Sequence, residues 1–374
     1  MSMIFGGFYP IKDKKYKALR ILSAVILMTL SSLYNLLGLI FGFQQISNVA
    51  VFSELISYLL TGLSFSCKIV NVFYYKNNLL LLDDMLRNPI ISELETEEEE
   101  MVVKNNLKFG QTLKKFYKIY ITSIFAVQFL YPLINNSDHK SLPLQLWFPF
   151  NQEEHYYTFY CIETLFIFSP CYFNVILDLL NILLMDMCAA QFELLKHRLK
   201  QFGADFTTGE AVEDDKLLFE KLKKIITYQN HVYRCSELVG ETFSMGSLCQ
   251  LACSVVILSF VIFKTAVTPI KSMQFLKMAT YSFLMMTQIS LFCYYGQKVL
   301  NSSSTVAEAC FMSKWYNCSL RIQKHLVIVM NRGNQPVIMK AGQFPLTLQT
   351  LMSIWSSAYS FLTILMQMYR KGDS

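Results

Sequence analysis

Polar side chains recur at helical spacing within an otherwise apolar stretch near the end of this 374-residue chain. From Gly342 to Met368 no charged side chain occurs. The spacing alternates between four and three residues, which places the polar groups on one stripe of an α-helix: Gln349, Ser353, Ser356, Ser360, Thr363 and Gln367. In a bilayer, such a stripe either hydrogen-bonds to a neighbouring helix or is wetted and lines a pore for ions.

Residues for catalysis or metal binding are not grouped in the sequence. The charged segments contain no nucleophile paired with a base, no phosphate-binding loop and no metal cluster, so we predict neither an enzyme nor a cofactor. Most of the ten cysteines lie in apolar runs. Cys249 and Cys253 share a helix face without a further ligand nearby, which predicts core residues rather than a metal site.

The apolar residues are concentrated in long runs. The chain is 53% hydrophobic and 16% charged, with a mean hydropathy of +0.34. This pattern predicts an all-α integral membrane protein with seven transmembrane helices, at residues 21–43, 49–74, 119–134, 157–185, 243–267, 275–296 and 342–368. Pro345 suits the first turn of the last helix, because that position needs no N–H donor.

The basic residues predict the orientation in the membrane. Of the 33 lysines and arginines, 26 fall on the side of the N-terminus and 6 on the opposite side, which places the N-terminus in the cytosol and the C-terminus outside. The net charge of +6 therefore reflects topology and does not indicate nucleic acid. G-protein-coupled receptors have the opposite orientation, and a secondary transporter is disfavoured because no repeated half is evident.

The connecting segments on the cytosolic side are predicted to be helical. The acidic block at 93–100 is interpreted as a solvated helix start. Residues 187–241 are predicted to form amphipathic helices that continue into the cytosol, with breaks near Gly203 and Gly209. A further helix is predicted from about Ala307 to Met330.

Several motifs in the last third of the chain are similar to those of a known protein family. They are Phe292-Cys293-Tyr294-Tyr295-Gly296, Trp315, Arg332, Pro336, Ala341-Gly342, Phe344 and Tyr359-Ser360-Phe361. With Trp147-Phe148-Pro149-Phe150 upstream, the chain resembles the insect odorant receptors. Leu351 stands where that family often has phenylalanine, and the related gustatory receptors are the alternative within the superfamily.

The resemblance implies a ligand-specific subunit of a tetrameric, odorant-gated, non-selective cation channel. Its partners would be an olfactory co-receptor in a heterotetramer, a small volatile odorant, permeating cations and the lipid bilayer. The location would be the plasma membrane of olfactory sensory neuron dendrites. Residues 1–186 would form the N-terminal segment and first four helices, 187–341 the next two helices with the cytosolic anchor, and 342–374 the pore helix and outer tail.

By the geometry of that family, the ligand lies in the outer half of the bundle. The implied contact residues are Phe52, Ile56, Tyr58, Phe125, Gln128, Phe129, Tyr160, Glu163, Phe166, Tyr281 and Phe283. Apolar burial and aromatic faces would supply most of the affinity for a volatile. Glu54, near the outer end, is interpreted as snorkelling to the headgroups, and Asp178 as packing into the anchor.

The same resemblance places an apolar gate at Leu362 and Met366. The polar stripe instead favours Ser360, Thr363 and Gln367, and Thr363 and Gln367 are rotated by about 100° from the gate pair. The two interpretations agree if the apolar side chains close the pore and the polar stripe joins its lining on opening.

Overall fold

The fold was described from a computed structural model, which covers residues 17–44, 49–92, 94, 96–134, 155–203 and 212–372. In its first half lie α1 Lys17–Gln44, α2 Val49–Tyr74, α3 Lys76–Leu86, α4 Pro89–Ser92, α5 Glu97–Ile134 and α6 Tyr156–Gln201. Then follow α7 Val212–Val267, α8 Met273–Ser304, α9 Val306–Phe311, a 3₁₀ turn Trp315–Asn317, α10 Leu320–Gly333, β1 Lys340–Ala341, β2 Phe344–Pro345 and α11 Leu348–Gly372.

Helices α1, α2, α6 and α7 contain segments long and apolar enough to cross a membrane by length and composition. These segments are Val25–Phe43, Val51–Tyr74, Tyr156–Gln201 and Asp215–Val267. Within the described residues, the long helices α5, α8 and α11 contain no segment that meets this criterion. They pack on the apolar four: α5 and α8 against α6, and α11 against α7. The chain is therefore a helical protein built around membrane-length helices.

The principal hydrophobic core lies in the inner half, which is the half that the charge distribution assigns to the cytosol. Phe192, Leu195 and Leu199 of α6 are fully buried there, and so are Tyr228 of α7 and Tyr295 of α8. This confirms the predicted amphipathic extension of the helix that begins at Tyr156, because its apolar face is the one that packs. The outer half contains smaller, separate apolar clusters.

The inner helix boundaries agree with prediction at one position and refine it at another. Helix α6 ends at Gln201, just before Gly203 with its φ of +78°, which confirms the break expected there, and α7 is continuous from Val212 through the membrane segment. The segment expected to be helical around 307–330 is helical but divided. Helices α9 and α10 are separated by a 3₁₀ turn, and the Ser319 hydroxyl caps α10 by accepting from the Ile322 N–H.

A short antiparallel hairpin precedes α11. Lys340 pairs with Pro345 and Ala341 with Phe344, and Gly342 turns the chain with a φ of +61°. The expected helix start at Pro345 is therefore wrong. Helix α11 begins at Leu348, where the Thr347 hydroxyl accepts from the Thr350 N–H at 3.3 Å.

The acidic block is only partly solvated. Glu98 is exposed, but Glu99 is buried and accepts two hydrogen bonds from the Arg198 guanidinium, at 2.7 and 2.8 Å. The guanidinium also lies 4.6 Å from the centre of the Tyr228 ring. This ion pair fastens the first turn of α5 to the last turn of α6, which corrects the interpretation of the block as a solvated helix start.

Several expectations lie outside the described residues. They concern the aromatic motif at 147–150 and the helix break near Gly209. The side chains of Phe125, Gln128 and Phe129 also lie outside the part that the structure describes.

Among the cysteines, burial raises the pKa of the Cys310 thiol to about 12, so this thiol stays protonated and packs as an apolar side chain.

Candidate ligand site and pore-lining helix

Two tyrosines meet face to face in the outer half of the bundle. Tyr58 of α2 and Tyr281 of α8 are both buried and stack with ring centres 5.3 Å apart and planes 4° from parallel. The Tyr281 hydroxyl shares a hydrogen bond of 2.7 Å with Thr61 and also donates to the Ser57 carbonyl at 3.4 Å. These contacts fix α8 against α2 and hold one aromatic face of the site in place.

A small cavity adjoins the Tyr58 ring between α1, α2 and α6. Its volume is about 10 Å³, which is room for about one water molecule. Pockets for small ligands usually measure roughly 300–1,000 Å³, so a ligand can enter only if the walls of the cavity move. Its lining residues are Tyr34, Tyr58, Thr61, Gly62, Phe166, Pro170 and Cys171.

The implied ligand residues are distributed around this region, and two of them line the cavity itself. Tyr58 and Phe166 are lining residues, and Tyr281 lies directly behind Tyr58. Phe52 is half-buried against Phe260 of α7, with ring centres 6.4 Å apart. Ile56 is likewise half-buried on α2.

The remaining members lie further along α6 and α8. Tyr160 is buried beside Tyr156, and Glu163, one turn later on α6, is fully buried. Phe283 lies on another side of α8: its side chain is 56% exposed and its ring meets the edge of Tyr120 at 5.7 Å. The structure thus groups Tyr58, Phe166 and Tyr281 and separates Phe283 from them.

Charged side chains form a cluster above the tyrosine pair. Lys277 donates to the Glu54 carboxylate at 2.8 Å, and Lys264 lies 3.9 Å from the same carboxylate. Lys277 also lies 5.6 Å from the centre of the Tyr58 ring. Glu54 is therefore held within the bundle by paired charges rather than snorkelling, and the cluster joins α2, α7 and α8 at their outer ends.

A second charged group lies deeper in the bundle. Lys68 of α2 forms an ion pair with Asp178 of α6, and both are almost fully buried. Lys68 also donates to the Asn174 amide oxygen at 2.8 Å, and Gln288 of α8 donates to Asp178. Asp178 therefore joins three helices within the membrane part of the bundle rather than packing into the anchor. A charged side chain is tolerated at this depth because its ion-pair and hydrogen-bond partners offset the cost of burying it.

Helix α11 presents different faces to the bundle and to its surroundings. Leu351, Ile354 and Ala358 are buried, and Ser259 of α7 donates to the Ala358 carbonyl at 3.2 Å. All six members of the polar stripe are exposed. The hydroxyls of Ser360 and Thr363 donate to carbonyls of their own helix. The stripe is therefore turned away from the helices of its own chain.

The two residues of the proposed gate lie between these faces. Leu362 and Met366 are half-buried, whereas Ser360, Thr363 and Gln367 are exposed. In this conformation the polar side chains project further from the bundle than the apolar pair.

Sequence reasoning missed the contribution of α1 to the cavity. Tyr34, at the wall of the cavity, is 4% exposed, and its hydroxyl has no hydrogen-bond partner among the described residues. Two features of the sequence could have indicated this cavity. One is Tyr34 itself, a tyrosine in the middle of an apolar run, because a buried hydroxyl needs a hydrogen-bond partner. The other is Pro170 within α6, because proline leaves a backbone carbonyl without its usual donor.

Comparisons with known proteins agree with this arrangement of helices. The model of the seven-transmembrane odorant receptor family matches residues 48–359. Odorant receptor 46a, isoform B, of Drosophila melanogaster is 22% identical over 338 residues, covering 87% of this chain and 86% of that protein. Odorant receptor Or2 of Anopheles gambiae is 24% identical over 186 residues, covering 48% of each chain.

A solved structure shares the fold. The olfactory receptor OR5 of Machilis hrabei, in complex with eugenol, superimposes with a TM-score of 0.81 at 16% identity, covering 98% of this chain and 95% of that one.

The fold defines a helical protein with membrane-length helices. More specifically, the chain belongs to the insect odorant receptor family, which confirms the resemblance found in its motifs. It is a receptor and not an enzyme.

Proposed function

We propose that this chain is the ligand-specific subunit of an odorant-gated, non-selective cation channel. It would bind a small volatile in the outer cavity and open a pore lined by α11. All seven long helices would cross the plasma membrane of an olfactory sensory neuron dendrite, with the N-terminus in the cytosol. Four subunits, including the olfactory co-receptor, would surround the pore.

The exposed polar stripe of α11 is the observation that supports this proposal most. Ser353, Ser356, Ser360 and Thr363 would be costly to expose to lipid chains, whereas water in a pore can hydrate them. The buried face of the same helix is already occupied by α7. A central position, with the stripes of several subunits facing one another, meets both conditions.

The inner part of the chain offers a surface for assembly. Phe311, Tyr316, Leu320 and Ile328, on and beside α9 and α10, are exposed apolar side chains. Large exposed apolar patches usually mark contact surfaces. We assign this surface to the anchor between subunits.

Recording current from cells that express this chain with and without the olfactory co-receptor tests the proposal. Odorant-evoked cation current only with the co-receptor supports it, whereas saturable uptake without current contradicts it.

Substitutions on α11 then separate its two faces. We expect Thr363→Ala to change conductance and block, and Leu362→Ala to change the closed-state leak. Unchanged currents in both variants would exclude this part of α11 from the pore.

A further inference from the structure

We propose that the outer cavity selects a small volatile with a hydroxyl group, an alcohol or a phenol, and that Tyr34 on α1 receives that hydroxyl. The inference rests on the proposed function, because it takes this cavity as the odorant site. Three polar atoms support it: two belong to residues that line the cavity, and the third lies beside the lining residue Gly62.

The first atom is the Tyr34 hydroxyl oxygen. It is buried among Leu55, Tyr58 and Leu59, without a hydrogen-bond partner in the described residues. Leaving such a group unsatisfied costs about 1–3 kcal/mol. Tyr281, on the far side of Tyr58, has its hydroxyl satisfied by Thr61. Tyr34 is therefore the tyrosine of this cavity that still has a hydrogen bond to offer.

The second atom is the carbonyl oxygen of Phe166. In a regular helix it would accept from the N–H four residues later, but that residue is Pro170, which has no N–H. Both Phe166 and Pro170 line the cavity. Proline within α6 thus leaves a backbone acceptor at the wall.

The third atom is the side-chain oxygen of Asn35. It is buried and has no hydrogen-bond partner within the described part of the chain. A Cβ atom at Gly62 would lie 2.5 Å from this oxygen, and Gly62 lines the cavity. Gly62 therefore allows the Asn35 amide to lie close against α2 beside the cavity, where a Cβ atom would clash with it.

These groups favour a ligand that donates a hydrogen bond. The Phe166 carbonyl and the Asn35 oxygen only accept, whereas the Tyr34 hydroxyl can donate or accept. A ligand hydroxyl can donate to a carbonyl while accepting from Tyr34. An ether or ester only accepts, and a hydrocarbon does neither. The Tyr58 and Phe166 rings would hold the apolar part of the ligand.

The experiment compares alcohols and phenols with their methyl ethers, which have similar shape but no donor. Linear, branched and aromatic members are tested on the purified complex of this chain with the co-receptor by direct binding, and on cells by odorant-evoked current. The variant is Tyr34→Phe, which removes only the hydroxyl. Tyr74→Phe is the matched control, because Tyr74 is 80% exposed and remote from the cavity lining.

We expect the best hydroxylated member to bind roughly tenfold more tightly than its methyl ether. Tyr34→Phe should weaken binding of that alcohol or phenol by roughly three- to tenfold, and it should weaken binding of the ether as well, because an ether oxygen can accept from Tyr34. Tyr74→Phe should bind both like the unaltered chain. Equal binding of alcohol and ether, an unchanged Tyr34→Phe variant, or no binding of any hydroxylated member overturns the inference.

The two readouts separate this inference from the proposed function. Tyr34-dependent binding without any evoked current supports the ligand chemistry and contradicts the channel. Evoked current that is equal for alcohols and ethers and independent of Tyr34 supports the channel and overturns the ligand chemistry.

Discussion

Among single residues, Lys68 and Asp178 are costly to change, because each neutralises the other in the bundle interior. Lys68→Met would leave the Asp178 carboxylate without its cation, and we expect a loss of about 3–5 kcal/mol in stability. Adding Asp178→Leu to Lys68→Met should recover part of this loss. Thermal unfolding of the detergent-solubilised protein measures both effects, and a double variant no more stable than Lys68→Met would contradict the account.

Gly296 is the residue at which α8 meets the segment leading into α11. A Cβ atom there would lie 2.3 Å from the Leu346 carbonyl oxygen and 2.6 Å from the Leu346 Cβ atom. We expect Gly296→Ala to lower stability by about 1–3 kcal/mol, because backbone must move. Gly240→Ala is the control, since its nearest neighbour is the Met339 sulfur at 3.7 Å. Equal unfolding temperatures for the two variants would contradict the predicted overlap.

The sequence indicated only part of the site. Tyr58, Phe166 and Tyr281 were expected there because the resemblance to the insect odorant receptors implies a ligand site in the outer half of the bundle. Tyr34 was not expected, because the sequence does not show that α1 packs beside the cavity. The partner of Lys68 could not be deduced either, since Asp178 lies 110 positions away and meets it only after α2 and α6 pack.

At the scale of elements, a buried bidentate ion pair fastens the first turn of α5 to the last turn of α6. Arg198→Met would leave the buried Glu99 carboxylate unpaired, and we expect a loss of about 3–5 kcal/mol. Arg87→Met is the matched control, because Arg87 pairs with Asp83 on the exposed surface of α3. That pair contributes roughly 0.3–0.5 kcal/mol. Similar unfolding temperatures for the two variants would show that Glu99 and Arg198 do not hold the helices together.

The long helices could be predicted from sequence because apolar runs and amphipathic periodicity repeat over many turns. The hairpin before α11 could not, since each of its strands has two residues and offers no period. Pro345 suits a helix start and a strand edge equally well. The positive φ of Gly342 turns the chain into a hairpin, so Pro345 lies in a strand and not at a helix start. The helix-start propensity of Pro345 therefore did not determine the local structure, because the hairpin packs against α7.

At the scale of the whole molecule, a firm inner core is combined with a looser outer bundle. The largest apolar cluster occupies the inner half, and the cavity lies among smaller clusters outside it. A ligand can displace side chains more easily where packing is less extensive. We therefore expect odorant binding to rearrange the outer ends of the helices while the anchor keeps the subunits together.

The polar stripe of α11 is the feature on which the channel account depends. Each stripe residue is exposed in the single chain, while Ile354 on the opposite face is buried. Cysteine substitution distinguishes the faces in the assembled receptor, because a charged thiol reagent reacts rapidly only with a wetted thiol. The unaltered chain, which has ten cysteines of its own, is treated in parallel to correct for their reaction.

The most direct measurement is therefore odorant-evoked current through the heteromer of this chain and the co-receptor, before and after the reagent. The account predicts that current through Thr363→Cys falls by more than half once the channel has been opened, while current through Ile354→Cys changes no more than in the unaltered chain. Unchanged current through Thr363→Cys, with block of Ile354→Cys instead, would show that the polar stripe does not line the pore.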